Sequence, residues 1–358
     1  MKIFGIFRGF PGLGRVVSGI GLLDELRRKG HSIKAYSYLQ GNALINEYGI
    51  DRIIDDEPCD PHIMVIGLNP ISKEIGKLFD VIQDEKPDLI IIDGEPLITS
   101  TLSTVYPRER IVCLLNPSDI ENDSLPVSSI NFYRHHYLTA KHVLVHSFIN
   151  DDYKRIADEY NCNIYSINTI IRPEILKIKT KKYSNTIIGI LGGGCAHCSV
   201  GFLQSTIKVA INICKLSKLM KDYNFVVYCN DLHVKSSISN IASSNFKIID
   251  TYASPQDMYE NACAAICRAG RNTTSELLYL GIPMLLFAAG GDFRSVEQGK
   301  NIRSLRKISH GLADKVYINE DINNIKKKME QVLKHHNAKT GFLPGNSTSV
   351  EIIGRILQ

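Results

Sequence analysis

No run of about 20 apolar residues occurs in the 358-residue chain, so no bilayer-spanning helix is expected. The opening apolar run, Met1 to Arg8, is too short for a secretory signal, which sets the expectation of a cytoplasmic protein. Without secretion, the N-x-[S/T] tripeptides at Asn122, Asn272 and Asn346 are chance matches. Dense, evenly paired cysteine is missing too. The nine cysteines are odd in number and scattered, which excludes a small disulfide scaffold. Cys195-Ala-His197-Cys198 has no second ligand pair at zinc spacing, so no metal is expected. Cys263 and Cys267 border an apolar run and read as core. No basic and aromatic pattern accompanies the modest net charge of +5, which excludes a nucleic-acid binder. That charge fits a phosphate-bearing ligand or an anionic membrane surface, and equally an ordinary soluble enzyme. With 44% hydrophobic and 22% charged residues, the chain has the composition of a folded globular protein.

What is present is an alternation of strands and helices long enough for two domains. Lys2 to Phe7 reads as a strand, Gly9 to Gly14 as a glycine-rich turn, and Val16 to Lys29 as a helix carrying Val16, Ile20, Leu23 and Leu26 at helical spacing. Gly30 stops it and Ser32 to Tyr36 forms the next strand. Leu89 to Ile92, Ile111 to Leu115 and Val143 to Val145 are continuous apolar runs, suited to parallel strands buried on both faces. Polar residues follow them: Asp93-Gly94-Glu95, Asn116-Pro117-Ser118-Asp119 and His146-Ser147. In open α/β sheets, ligands gather at these carboxyl ends. The basic, polar stretch Lys177 to Asn185 reads as a linker. A second strand and glycine turn follow, Thr186 to Leu191 and then Gly192-Gly193-Gly194, with later strands at Phe225–Tyr228, Phe246–Ile249, Ala264–Cys267 and Met284–Phe287. The expected fold class is therefore α/β, with two Rossmann-like domains, 1–176 and 177–346, holding ligands in a cleft between them. Residues 347–358 form a helix that can return to the first domain.

The segment from Ala264 to Asn301 carries the sharpest chemistry. A strand ends at Arg268, Gly270 permits a tight turn, and Thr273 or Thr274 can cap a new helix. The amide end of such a helix favours a diphosphate. Glu276, placed in the first turn, can accept hydrogen bonds from a ribose diol or simply complement the helix dipole. Gly281 and Pro283 end the helix.

This segment resembles the donor-binding region of MurG-like glycosyltransferases, with a family 28-type C-terminal domain and the GT-B architecture. Their pattern R-[SA]-G-x-x-[ST]-x-x-E, followed by G-x-P and a Gln- and Asn-bearing turn, is matched by Arg268, Gly270, Thr273, Glu276, Gly281, Pro283, Gln298 and Asn301. Tyr252 to Glu260, Gly192 to Gly194 and Arg172-Pro173-Glu174 resemble further family segments. The resemblance implies an inverting, metal-independent transferase, without a cofactor, that uses a nucleotide-diphosphate sugar, UDP-sugar favoured. Glu276 would bind ribose. Gly193, Gly194 and the Gly270, Arg271, Asn272, Thr273 and Thr274 amides would cradle the diphosphate. Glu297 and Gln298 would reach the donor sugar, and Arg268, Arg271 and Arg294 would offset the charge of the leaving group.

The first glycine loop departs from the family's G-x-G-H. Here it reads Gly12-Leu13-Gly14-Arg15, and an arginine that stays protonated cannot be a base. Gly14 and Arg15 are instead candidates for holding a phosphate or an acidic acceptor group. The candidate bases are Asp93, Glu95, Asp119 and the His135-His136 pair. The acceptor is a small molecule or lipid-linked group with a hydroxyl or amine nucleophile, and an amine needs less help from a base. Arg8, Phe10, Arg15, Arg27, Arg28 and Lys29 form either a solvated helix face or a peripheral membrane patch, and Lys326 to Lys328 reads as solvated. A nucleotide-sugar hydrolase or epimerase, or a silent nucleotide-binding protein, remains an alternative on the same fold.

Overall fold

The structure, a computed structural model, describes residues 1–9, 12–55, 73–122, 125–181, 183–191, 200–249, 254–287, 293–336, 338 and 340–358, with the side chains of 73–75 and 293–295 outside that description. The chain divides into two compact units: Met1–Pro173 with Pro344–Gln358, and Glu174–Leu343.

The first unit holds strands β1 (Lys2–Phe7), β2 (Ser32–Tyr36), β3 (Asp51–Arg52), β4 (Leu89–Asp93), β5 (Ile111–Leu115), β6 (His142–Ser147) and β7 (Asn163–Asn168). They form one sheet of order β3-β2-β1-β4-β5-β6-β7, and every pair is parallel. Burial explains the sequence pattern. β4 and β5 are buried at every position, because helices cover both faces. Along β1, alternate residues go to opposite faces: Ile3 and Phe7 join one core cluster, and Phe4 and Ile6 the other. The helix Gly14–Arg28 comes so close to β1 that a Cβ on Gly19 would lie 2.4 Å from the Phe7 ring. The final helix, Asn346–Ile356, packs on that first helix and buries Ile352 and Ile353 in the same cluster. Asn346 fastens it. Its Oδ1 accepts from the Ile171 amide at 3.1 Å, and its Nδ2 donates to the Ile171 carbonyl at 3.0 Å.

The second unit holds β8 (Thr186–Ile190), β9 (Asn224–Tyr228), β10 (Phe246–Ile249), β11 (Ala262–Arg268), β12 (Met284–Phe287) and β13 (Ala313–Val316), in the parallel order β10-β9-β8-β11-β12-β13. Cys263 and Cys267 lie on β11 as buried free thiols, with a register shift between Ala262 and Ala264.

The strands β3, β7 and β13 had no clear signature. β3 is two residues long. β7 is a half-buried edge strand whose text, Asn-Ile-Tyr-Ser-Ile-Asn, is polar, and β13 alternates apolar ends with Asp314 and Lys315. In both sheets the order reverses at one place, between β1 and β4 and between β8 and β11. Loops diverge there and leave a crevice at the strands' carboxyl ends.

Candidate functional site

In the first unit, that switch point is lined by ionisable groups. β1 ends beside Arg8, whose amide donates to the Asp93 carbonyl at 3.0 Å. Arg15 sits in the first turn of the helix Gly14–Arg28, and Gly14 is the residue that opens it. Asp93 ends β4 level with Phe7. After β5, Asn116 caps the short helix Pro117–Ile120 in a capping box, its amide donating to Asp119 Oδ2 at 2.7 Å. Arg15 joins the two acids. Its Nη1 donates to Asp93 Oδ1 at 2.6 Å and its Nη2 to Asp119 Oδ1 at 2.7 Å. Burial opposes the charge on Arg15, but Asp119 and Asp93 outweigh it and hold the guanidinium protonated well above its ordinary range. Burial likewise pushes the Asp119 carboxyl up, yet Arg15 and the Asn116 amide bring it below the usual carboxylate value. Arg15 and Asp119 keep 10% and 13% of their side-chain surface, while Asp93 is fully enclosed.

Glu95 lies beside this cluster in a different state. Gly94, at φ +87°, turns the chain, and Glu95 takes the N-cap position of the helix Pro96–Val105. It is 1% exposed and its Oε1 accepts from Tyr38 Oη at 2.7 Å. Burial raises its carboxyl from 4.5 to about 7, against the Tyr38 bond and the charges of Arg8 and Arg15. Burial and Glu95 in turn raise the Tyr38 phenol. Of the candidate bases, Asp93 and Asp119 are thus counter-ions to Arg15, and Glu95 titrates near neutrality. His135 is exposed on the helix Val127–Tyr137. Its neighbour His136 meets Ser100 Oγ at 2.9 Å, and burial and the charge of His135 lower its imidazole below the ordinary value. Tyr38 escaped sequence reasoning. It lies just past β2, and the only signal there was a polar stop after an apolar strand.

In the second unit, the corresponding point is the turn from β11 into the helix Arg271–Leu280. The cap is Gly270, in extended conformation, and not a threonine: Thr274 lies inside the helix and its hydroxyl donates to the Gly270 carbonyl at 2.9 Å. The helix therefore begins earlier than expected, and Glu276 falls in its second turn. Among the described residues no side chain caps this end, and a Cβ built on Gly270 would meet nothing within 4 Å. The described residues thus leave room beside the helix start for a diphosphate. Glu276 is 2% exposed, and its Oε2 accepts from Tyr259 Oη at 2.8 Å. Arg268 stacks on Phe202, its guanidinium carbon 4.3 Å from the ring centre, and donates to Thr206 Oγ1 at 3.3 Å. Asn301 Nδ2 donates to the Ala269 carbonyl at 2.9 Å, tying the helix Phe293–Ile308 to this turn; on that helix Gln298 is buried and Glu297 half-buried. Asn272 and Thr273 are half-buried, and Gly281 ends the donor-side helix at φ +66°. Gly193 and Gly194, with Cys195, His197 and Cys198, lie outside the described residues, as does the side chain of Arg294.

Two parallel six- and seven-stranded sheets, each reversing at its first strand, define a GT-B protein. The fold is shared over full length by solved structures. The kitacinnamycin glycotransferase superposes with a TM-score of 0.67 at 15% identity, covering 100% of this chain and 99% of its own. MurG of Acinetobacter baumannii gives 0.60 at 14%, covering 99% of each. UDP-GlcNAc 2-epimerase of Neisseria meningitidis, bound to UDP-GlcNAc, gives 0.64 at 15%, covering 100% and 99%. Residues 204–343 match the model of the glycosyltransferase family 28 C-terminal domain. The UDP-N-acetylglucosamine--N-acetylmuramyl-(pentapeptide) pyrophosphoryl-undecaprenol N-acetylglucosamine transferase of Thermosipho melanesiensis is 30% identical over 117 residues, a third of each protein (33%). The chain thus resembles MurG-like GT-B glycosyltransferases, and the match in sequence spans about a third of that relative's length.

Proposed function

We propose that the protein is a glycosyltransferase that moves a sugar from a UDP-sugar to a hydroxyl or amine acceptor, with inversion and without a metal or cofactor. The observation that carries this reading is the turn after β11. Among the described residues no side chain caps the helix start, and a buried carboxylate on that helix, Glu276, accepts a hydrogen bond from Tyr259 at the end of the helix Pro255–Tyr259. It lies within the stretch that matches the family model. The diphosphate would sit against the helix amides from Gly270 to Thr274, Glu276 would hold the ribose, and Glu297 and Gln298 would reach the sugar. As the anomeric bond breaks, negative charge grows on the diphosphate, and the helix dipole with Arg268 would offset it. The acceptor would be held by the first unit, where Glu95 is the acid whose proton affinity suits a general base. Among the described residues no helix is long and apolar enough to cross a membrane. We place the reaction in the cytoplasm.

The likeness to an epimerase that binds a UDP-sugar, together with Arg15 in place of the family's histidine, keeps epimerisation or hydrolysis of the donor as the second reading. Incubation with UDP-sugar and no acceptor separates them, since rapid release of free sugar or of its epimer belongs to the second reading only.

A thermal-shift screen of nucleoside diphosphates tests the first. UDP is expected to raise the unfolding temperature by mass action, and Glu276→Ala to abolish most of that rise. An unchanged shift in Glu276→Ala would remove the donor site from this turn.

A further inference from the structure

The two ionisable clusters differ in what they leave for a phosphate. A protein that grips a phosphate does so with guanidinium forks and amides. In the first unit both terminal nitrogens of the Arg15 guanidinium already donate to carboxylates, to Asp93 at 2.6 Å and Asp119 at 2.7 Å, so its charge is met by two acids. Neither acid can easily let go. Asp93 is fully enclosed, so releasing Arg15 would strand a buried carboxylate. Asp119 is pinned from its other oxygen by the Asn116 amide at 2.7 Å. The remaining cation at this strand end, Arg8, is half-buried and its charge is felt by both Glu95 and Asp119. Arg134 is engaged at the Ile120 carbonyl at 2.7 Å. The residues of the first unit outside the description, 10–11, 56–72 and 123–124, contain no lysine or arginine, and Lys73 is the one basic residue of that unit whose side chain lies outside it. Arg8 and Arg15 therefore face three carboxyl groups, Asp93, Glu95 and Asp119.

Resting on the transferase reading above, we infer that Asp93 and Asp119 are specificity determinants, which consume Arg15 and restrict the first unit to an acceptor without phosphate, one offering a neutral hydroxyl or an amine. This separates the protein from the Thermosipho melanesiensis relative, whose named acceptor is pyrophosphoryl-undecaprenol.

The test is calorimetric titration of the full chain. UDP is added first to fill the donor site, and geranyl pyrophosphate is then titrated as a soluble prenyl pyrophosphate. No saturable binding is expected for the wild type up to millimolar concentration. Asp119→Asn, which removes the carboxylate charge at the outer edge of Arg15 but leaves Asp93 in place, should bind the probe at least about tenfold tighter than the wild type. Saturable binding of geranyl pyrophosphate to the UDP-saturated wild type overturns the inference. So does a folded Asp119→Asn variant, checked by circular dichroism, that gains no affinity. Should that variant not fold, the wild-type titration decides alone. Failure of UDP itself to bind appears in the first titration and strikes the donor reading instead.

Discussion

A buried acid that is neutral half the time leaves a signature in stability against pH. Glu95 is 1% exposed and its carboxyl is raised from 4.5 to about 7, with burial as the leading cause. A carboxyl with a raised folded value binds protons more tightly in the folded state. Its contribution is whole below the unfolded value of 4.5 and is lost as pH rises through about 7. Carrying the ionised form inside costs the fold about 3 kcal/mol at pH 8 and about 1 kcal/mol at pH 5. Glu95→Gln keeps a carbonyl oxygen for Tyr38 Oη and cannot ionise. The variant should therefore gain about 2 kcal/mol relative to the wild type between pH 5 and pH 8. Because two units need not unfold together, the readout is hydrogen exchange of peptides covering β4, which report opening of the first unit. After correction for the intrinsic pH dependence of exchange, the protection curves should diverge with rising pH. Parallel curves would refute the reasoning, since they would mean that Glu95 is ionised at no cost where it sits.

Other perturbations follow from single contacts. Asn346→Ala strands both polar groups of Ile171 under the last helix and should cost about 2–4 kcal/mol, read as faster exchange at Ile171 and a lower unfolding temperature. Tyr259→Phe removes the bond that aims Glu276 and should weaken UDP binding about fivefold by calorimetry, with the fold intact. Arg15→Lys cannot reach Asp93 and Asp119 with one ammonium, so it should destabilise the first unit by about 3 kcal/mol and leave UDP binding unchanged.

The sheets were legible because their central strands are buried on both faces and written in continuous apolar text: Leu89 to Ile92, Ile111 to Leu115, Ala264 to Cys267 and Met284 to Phe287 all form strands. Edge strands were not, since a half-buried strand such as β7 shares its composition with loops. Glycines signalled the two turns at the switch points, and Gly281 at φ +66° stands where a left-handed residue must end a helix. Residue identity located the charged groups as well, but not their states. That Arg15 bridges two acids depends on contacts spanning 78 and 104 residues, which no local pattern carries. The neutral tendency of Glu95 depends on enclosure and on Tyr38, 57 residues away. The helix start after β11 was misplaced for a simpler reason: threonines are favoured caps, but the chain leaves the strand in extended conformation only as far as Gly270.

The same topological position is used in opposite electrical ways. Neither the helix start after β11 nor that after β1 has an acid in its first turn or a capping side chain among the described residues, so the difference lies in the carboxylates brought to the first unit's site from other strand ends. After β1 and β4, the charge of Arg15 is met by carboxylates contributed from two other strand ends, Asp93 and Asp119. Arg15 stays charged, and Asp93 and Asp119 meet its two terminal nitrogens from opposite strand ends. On this view, Arg15→His should leave one of the two acids without a cation, and the first unit should gain stability as pH falls far enough to charge the imidazole, through about 6.5. Peptides covering β4 and β5 should then become better protected from exchange toward acid pH in the variant relative to the wild type, and an absence of that trend would mean that the acids do not depend on the charge at position 15.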